Sequence, residues 1–352
     1  MAKTLPLRQS LGIDVSKDHL QVCISNLEAD QRIRVIASTK FSNNGKGLNQ
    51  LIVWVKKHRI PDLGFKVILE ATGVYHEQAT YFLHEKGFEV SVVLPNKAKS
   101  FARSLNAKSK TDQIDAKILA QMGLERKLDS WKPASQNMIS IKRLCRERTA
   151  LQDHKTAALN QMHARKSSHL PEKSSQNRSL KLIKFIEKQI KEVEESIKQV
   201  VKTDPDLKEK VDKICKVKGL GLITVIAVIA ETDGFALFKN KAQLVSFAGY
   251  DVVQRESGTS VKGTTRISKK GNSYIRRALY FPALTAVKYE PQFKDFYQRV
   301  FEKSFIKMKG YVAVQRKLLV LIYTLYKKEE PYDPQYLFKT PLQKNRQELC
   351  PA

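Results

Sequence analysis

The chain has 352 residues, 42% of them hydrophobic, enough to bury cores in two or three domains. Its 63 Lys and Arg against 35 Asp and Glu leave a net charge of +28, which argues against a small neutral or acidic partner and points to a polyanion, nucleic acid first. Scattered cysteines (Cys23, Cys145, Cys215, Cys350) without a Cys-x-x-Cys pair argue against a zinc ribbon or disulfide framework and suit a reduced cytoplasm; no secretory signal opens the chain, and the longest apolar run, residues 219–230, is too short for a bilayer, so no membrane partner is expected.

Three short β-rich runs come first, Leu11–Val15, His19–Ser25 and Arg32–Ala37, separated by polar breaks as in an antiparallel meander. A helical pattern over Gly47–His58, a strand at Phe65–Ala71, a helix over Tyr75–Lys86 and a strand at Glu89–Leu94 complete a mixed α/β sheet covered by helices. Asp14 lies among Leu11, Ile13 and Val15 of the first strand, and Glu70 follows Val67, Ile68 and Leu69 in the fourth. An ionised acid buried there needs a partner or a metal; at a strand's solvated edge it needs neither.

Residues 96–110 carry Lys97, Lys99, Arg103, Lys108 and Lys110 and no acid, which reads either as a phosphate-contacting run or as a solvated basic loop. Directly after it, Asp112 and Asp115 stand three residues apart at the start of an apolar-periodic helix, on one face. First-turn acids complement a helix dipole, but two carboxylates this close also suit a cation, and Mg²⁺ prefers such oxygen donors. Asp14, Glu70, Asp112 and Asp115 together, drawn from two strands and a following helix, resemble the Asp-Glu-Asp-Asp set of the ribonuclease-H-like nucleases and of the Holliday-junction resolvase RuvC. That resemblance implies two Mg²⁺ ions clamping a scissile phosphate.

From Ala134 to Lys202 glycine vanishes and apolar residues recur at helical spacing, with a break around Ser167–Ser179 that contains Pro171. Two long helices in an antiparallel hairpin are expected, serving as a spacer or as an arm for oligomerisation or RNA. Val217–Gly221 places a Gly-x-Gly turn between helical segments, like a helix-hairpin-helix in which Gly219 and Gly221 let backbone N–H groups approach a phosphate, or a plain helix-helix turn. A short helix ending on Gly249 follows. Between Ser257 and Arg277, on a loop entering a helix, stand Lys262, Arg266, Lys269, Lys270, Arg276 and Arg277 with no acid, a phosphate-binding pattern. Ser257, beside Gly258, reads either as a turn former or as a nucleophile toward phosphorus. Residues 293–307 and 312–326 read as amphipathic helices and the segment from Pro331 as a loosely ordered tail.

The ordered set Gly-Ile-Asp-Val-Ser-Lys (12–17), Leu-Glu-Ala-Thr-Gly (69–73), Lys-Thr-Asp-Gln-Ile-Asp-Ala-Lys (110–117), Val-Lys-Gly-Leu-Gly (217–221), and Glu-Ser-Gly-Thr-Ser followed by Ile-Ser-Lys-Lys-Gly-Asn (256–272) resembles the DEDD transposases of bacterial insertion sequences. That family includes bridge-RNA-guided recombinases and is related to pilin-inverting recombinases. The resemblance implies an α/β ribonuclease-H-like (RuvC-like) N-terminal domain (1–130), a long helical hairpin or coiled-coil arm (131–206), a mainly α-helical C-terminal transposase domain (207–330) and a tail (331–352). It implies catalytic, Mg²⁺-binding roles for the four acids, a covalent DNA-serine link at Ser257, with Ser260 as the rival, donor and target DNA as substrates, a structured noncoding guide RNA, and a homo-oligomer, dimer or tetramer. The alternatives are a RuvC-like structure-specific endonuclease using water, a DNA invertase without guide RNA, and a noncatalytic nucleic-acid-binding protein. An actin-like or sugar-kinase ATPase would need later Asp-Gly-Gly phosphate loops, which the chain lacks.

Overall fold

The structure is a computed structural model that describes residues 5–107, 109, 111–169, 172–236, 238–254, 256–257, 261–263, 265–329 and 332–333. The chain divides into two compact units, Met1–Pro133 and Ala134–Ala352.

The first unit runs β1 (Arg8–Val15), β2 (His19–Leu27), β3 (Ile33–Ser42), α1 (Gly45–His58), β4 (Phe65–Glu70), α2 (Tyr75–Glu85), β5 (Glu89–Val93), α3 (Pro95–Ser104) and α4 (Asp112–Glu125). Its sheet has the order β3-β2-β1-β4-β5, with β2 antiparallel to both neighbours and β4 and β5 parallel to β1. This is the RuvC-like, ribonuclease-H-like sheet expected: a meander supplies three strands, and helical crossovers return the chain to add two parallel ones. The third strand continues to Ser42 rather than ending at Ala37. It is an edge strand, and its polar end shows no apolar alternation to flag it. The basic run is largely a helix, α3, started by Pro95 and bearing Lys97, Lys99 and Arg103; Lys108 and Lys110 lie outside the described residues.

Side chains alternate across the sheet, which separates two cores. Leu11, Ile13 and Val15 of β1 and Val67 and Leu69 of β4 pack with Leu48, Leu51 and Val55 of α1 and Ala79 and Leu83 of α2. Ile68 and Val93, on the other face, pack with Phe101 of α3 and Ile118, Leu119 and Met122 of α4. Each large apolar side chain so buried contributes about 1.5–3 kcal/mol. The second face therefore belongs to α4.

The second unit begins with α5 (Gln136–Lys166) and α6 (Lys173–Lys202), the expected antiparallel hairpin. Arg148–Glu194 at 2.6 Å, Lys155–Glu187 at 2.8 Å and Arg165 to Ser179 at 2.9 Å are rungs whose numbers fall on one helix as they rise on the other. The turn is shorter than the sequence break suggests, because Lys173–Ser179 is already helical. Then follow α7 (Pro205–Cys215), α8 (Leu222–Glu231), α9 (Lys241–Phe247), the short strands β6 (Val252–Val253), β7 (Glu256–Ser257), β8 (Val261–Lys262) and β9 (Arg266–Ile267), and α10 (Ser273–Ala278), α11 (Tyr280–Tyr289), α12 (Pro291–Ser304) and α13 (Lys307–Lys328). One core joins Ile141 and Cys145 of α5, Val193, Ile197 and Val201 of α6, and the inner faces of α7, α8, α11 and α13. Apart from residues 332–333, the expected tail lies outside the described residues, and among the described residues no helix is long and apolar enough to cross a membrane.

Candidate active site

The site of the first unit follows from a register and a close crossing. β1 and β4 pair in parallel as far as Ile13 and Leu69, so the next pair in register is Asp14 beside Glu70, at the carboxyl ends of adjacent strands about 4.8 Å apart. Two residues before Asp14, Gly12 points to the same face, and there the backbone of α4 lies on the strand. A Cβ at Gly12 would stand 2.1 Å from the Ala116 carbonyl oxygen and 2.3 Å from the Ala120 nitrogen. Ser10 Oγ donates to the Ala120 carbonyl, and a Cβ at Gly123 would press on Ile68 of β4. Helix and strand thus run in opposite directions: Ser10 lies level with residues 120–123 and Gly12 with 116–120.

A step of two strand residues, about 6.6 Å, equals roughly four helical residues, so the face of α4 level with Asp14 is its first turn, which holds Asp112 and Asp115. That turn begins where it does because Thr111 caps it: its hydroxyl accepts from the Ile114 N–H at 3.3 Å, and the Asp115 N–H donates to the Thr111 carbonyl at 2.9 Å. Asp14, Glu70 and Asp115 are half-buried and each has a polar or electrostatic partner, while Asp112 is exposed. Among the described residues no three Asp, Glu, His or Cys side chains stand close enough to grip an ion as they are placed. The backbone does bring four carboxylates to one face at one end of the sheet, and an all-oxygen set of this kind suits a hard divalent cation. Gly12, Ala116 and Ala120, which let α4 settle on β1, were not singled out from the sequence. The signal was present as a glycine two residues before the acid and alanines one turn apart in the helix.

In the second unit the segment read as a loop is a ribbon. Val252 pairs with Ile267 and Val253 with Arg266; beyond them Glu256 pairs with Lys262 and Ser257 with Val261, so Ser257 belongs to the last described pair before the hairpin end. Ser260 lies outside the described residues, and Ser257 and Lys262 are described by their strand pairing. The ribbon's base is fixed: Ser268 Oγ donates to Asp251 at 2.6 Å, the Asn272 N–H donates to the Phe247 carbonyl at 2.7 Å, and Asn272 Nδ2 donates to Glu231 at 2.7 Å. Glu231 is only 4% exposed and also accepts from Arg146 of α5 at 2.7 and 2.9 Å. A fork of this kind satisfies a buried carboxylate.

The cations divide into two groups. Arg266, Lys269, Lys270 and Arg277 are exposed, but only Arg276 and Arg277 are held by the partners that follow. Arg276 donates to the Ala248 carbonyl at 2.8 Å, and Arg277 forms a two-pronged pair with Asp153 of α5, whose carboxyl it holds below the ordinary carboxylate range. Gly219, at φ +101°, lies against α11, where a Cβ would meet Pro282 and Ala286, whereas Gly221 opens α8 and faces free space.

An α/β unit with acids at its strand ends is thus followed by a helical unit carrying a cationic ribbon. A family model described as Transposase matches residues 11–171, and a second, described as Transposase IS116/IS110/IS902 family, matches residues 211–298. The chain belongs to this insertion-sequence family and is a DNA transposase/recombinase. It is 26% identical over 324 residues to the pilin gene-inverting proteins of Moraxella bovis and of Moraxella lacunata, a match that spans 92% of this chain and 97% of each relative. Solved structures similar to part of the chain include Thermus thermophilus RuvC (12% identity, TM-score 0.28, 35% of this chain, 99% of that one) and the fowlpox virus Holliday junction resolvase (18%, 0.25, 33% and 96%).

Proposed function

We propose that the chain cuts and rejoins DNA strands at a Mg²⁺-dependent site formed by Asp14, Glu70, Asp112 and Asp115, with Ser257 as the nucleophile and a bridge RNA directing the choice of DNA. The observation that carries this is the contact of α4 with Gly12, which brings the first turn of that helix level with Asp14 and Glu70. Bound there, Mg²⁺ would supply Lewis-acid polarisation of the scissile phosphate and neutralise charge on its oxygens.

The chain's own part begins with four carboxylates that would hold the ion at the strand ends. Ser257 Oγ attacks phosphorus, a Ser–O–P bond forms, and the bond from phosphorus to the leaving deoxyribose oxygen breaks. The serine proton passes to solvent or a nearby base, and the departing oxygen takes one up. Attack by a DNA hydroxyl on the phosphoserine then reverses the sequence, so the phosphodiester energy is conserved and rejoining needs no ATP. Exposed Arg266, Lys269 and Lys270 hold nucleic-acid backbone without reading sequence, which suits delegation of sequence choice to a guide RNA in a cytoplasmic homo-oligomer. The length of the match to the pilin gene-inverting proteins favours a second outcome of the same chemistry, inversion of a DNA segment.

The test pairs Asp14→Asn and Asp115→Asn with Ser257→Ala on DNA bearing the element's ends, using protein purified with its RNA. Both Asn variants should lose cleavage while binding DNA nearly as before, and Ser257→Ala should form no protein-DNA adduct. Rejoining by Ser257→Ala would remove Ser257 as the nucleophile in favour of Ser260 or a DNA hydroxyl, cleavage without rejoining would leave water as the nucleophile, and cleavage by either Asn variant would remove the acids from the mechanism.

A further inference from the structure

We infer that Phe281, at the start of α11, is a stacking platform for an unpaired nucleobase. The phosphates beside that base would lie on Lys269 and on the Arg277–Asp153 pair. The inference rests on the reading of this chain as a nucleic-acid enzyme and adds to it a site for single-stranded, unstacked nucleic acid.

Phe281 is 71% exposed, among the largest exposures of any described aromatic side chain. It stands on the wall between two concavities of the second unit and lines both. The larger, about 520 Å³, lies between α5, α8 and the α10–α11 junction and presents Arg148, Lys155, Thr224, Tyr274 and Arg277 beside Phe281. The smaller, about 340 Å³, presents Lys269, Arg276, Tyr280 and Met308. Among the described residues the one carboxylate in either lining is Glu231, which is buried and already held by Arg146 and Asn272. Aromatic and methionine surface beside exposed Lys269 and Arg277, among five lining cations, is complementary to a base flanked by phosphates.

Three of those cations make ion pairs with acids outside the linings, Arg148 with Glu194, Lys155 with Glu187 and Arg277 with Asp153. The Asp153 side chain is 57% exposed, so the pair is screened by solvent and a phosphate can share Arg277 at modest cost. Tyr280 and Phe281 meet with nearly perpendicular rings at 5.2 Å between centroids, and at 71% exposure most of the Phe281 side chain still faces solvent. A paired duplex offers no free base face to such a ring. An unpaired base does, and stacking tolerates any base because each has a π face.

The experiment measures binding of fluorescent 12-nucleotide single strands, RNA in one arm and DNA in the other, with a blunt DNA duplex as reference, to full-length wild type, Phe281→Ala, Phe281→Leu, Phe281→Trp and Lys269→Gln over a series of salt concentrations. Phe281→Ala and Phe281→Leu should each weaken single-strand binding about 10-fold, leave duplex binding unchanged and keep the salt slope, since stacking releases no counterions; Phe281→Trp should bind as wild type. Lys269→Gln should instead lower the salt slope by about one. The arm in which the loss is larger identifies RNA or DNA as the source. Equal single-strand binding by wild type and Phe281→Ala overturns the proposal, as does full binding by Phe281→Leu. A Phe281→Ala chain with unchanged nucleic-acid affinity and a lower mass in solution would make this face a contact between copies. If Asp14→Asn still cleaves while Phe281→Ala loses strand binding, the proposed chemistry fails and the platform stands.

Discussion

Replacing Gly12 by alanine tests how the acids are brought together. The added methyl carbon would stand 2.1 Å from a backbone oxygen of α4, against the 3.4 Å at which ordinary contact begins, so the helix must retreat by about 1.3 Å or β1 must bend. Neither partner is a flexible side chain, and overpacking against backbone costs about 1–3 kcal/mol. The retreat carries Asp112 and Asp115 away from Asp14 and Glu70, and a displacement near 1 Å at a reacting centre can cost roughly a hundredfold in rate. Single-turnover cleavage of element-end DNA by Gly12→Ala should therefore fall about a hundredfold, with a modest drop in melting midpoint and little change in DNA affinity. Gly64→Ala is the control, because no atom lies within 4 Å of its added carbon. A Gly12→Ala chain that cleaves at the wild-type rate would refute the idea that this crossing sets the site.

The second unit yields two further expectations. Glu231→Ala strips the buried partner from Arg146, whose side chain is 43% exposed, and from Asn272, so urea unfolding should show a loss of about 1–3 kcal/mol; an unchanged midpoint would contradict the bridge between α5 and the ribbon base. Burial, and then the nearby Glu231, push the Cys145 thiol up to about 12, and burial with Asp212 pushes Cys215 up to about 11. Both therefore stay protonated at pH 8 in the folded chain, and mass spectrometry should find them unalkylated by iodoacetamide until urea is added. Because the folded values are raised, the stability they confer is complete below the unfolded thiol value near about 8.5 and declines as pH rises from there toward 11 and 12.

Much of this architecture was legible because its signals are local. β-branched runs mark the strands, the acid pair ahead of apolar spacing marks the start of α4, and apolar spacing without glycine marks the hairpin. The extension of β3 was not legible, since an exposed edge strand needs no apolar alternation. In residues 96–110 the density of charge masks the helix that Pro95 starts. The second unit's cations look alike in sequence, yet Arg276 bonds a carbonyl 28 residues away and Arg277 pairs with Asp153, 124 residues away, so only the fold shows which are already engaged. The ribbon was missed for a related reason: strands of two residues carry no period to detect. Asp14 and Glu70 could each be read alone as solvated-edge acids, and it is the register of β1 with β4 that makes them neighbours.

Asp14, Glu70, Asp112 and Asp115 are expected to take up divalent ions together. Electron paramagnetic resonance of Mn²⁺ titrated into the full-length chain, in the presence of element-end DNA, measures this without reference to turnover. Wild type should bind about two ions per chain, and the chain carrying Asp14→Asn, Glu70→Gln, Asp112→Asn and Asp115→Asn should bind none at that site. Equal uptake by both chains would contradict it.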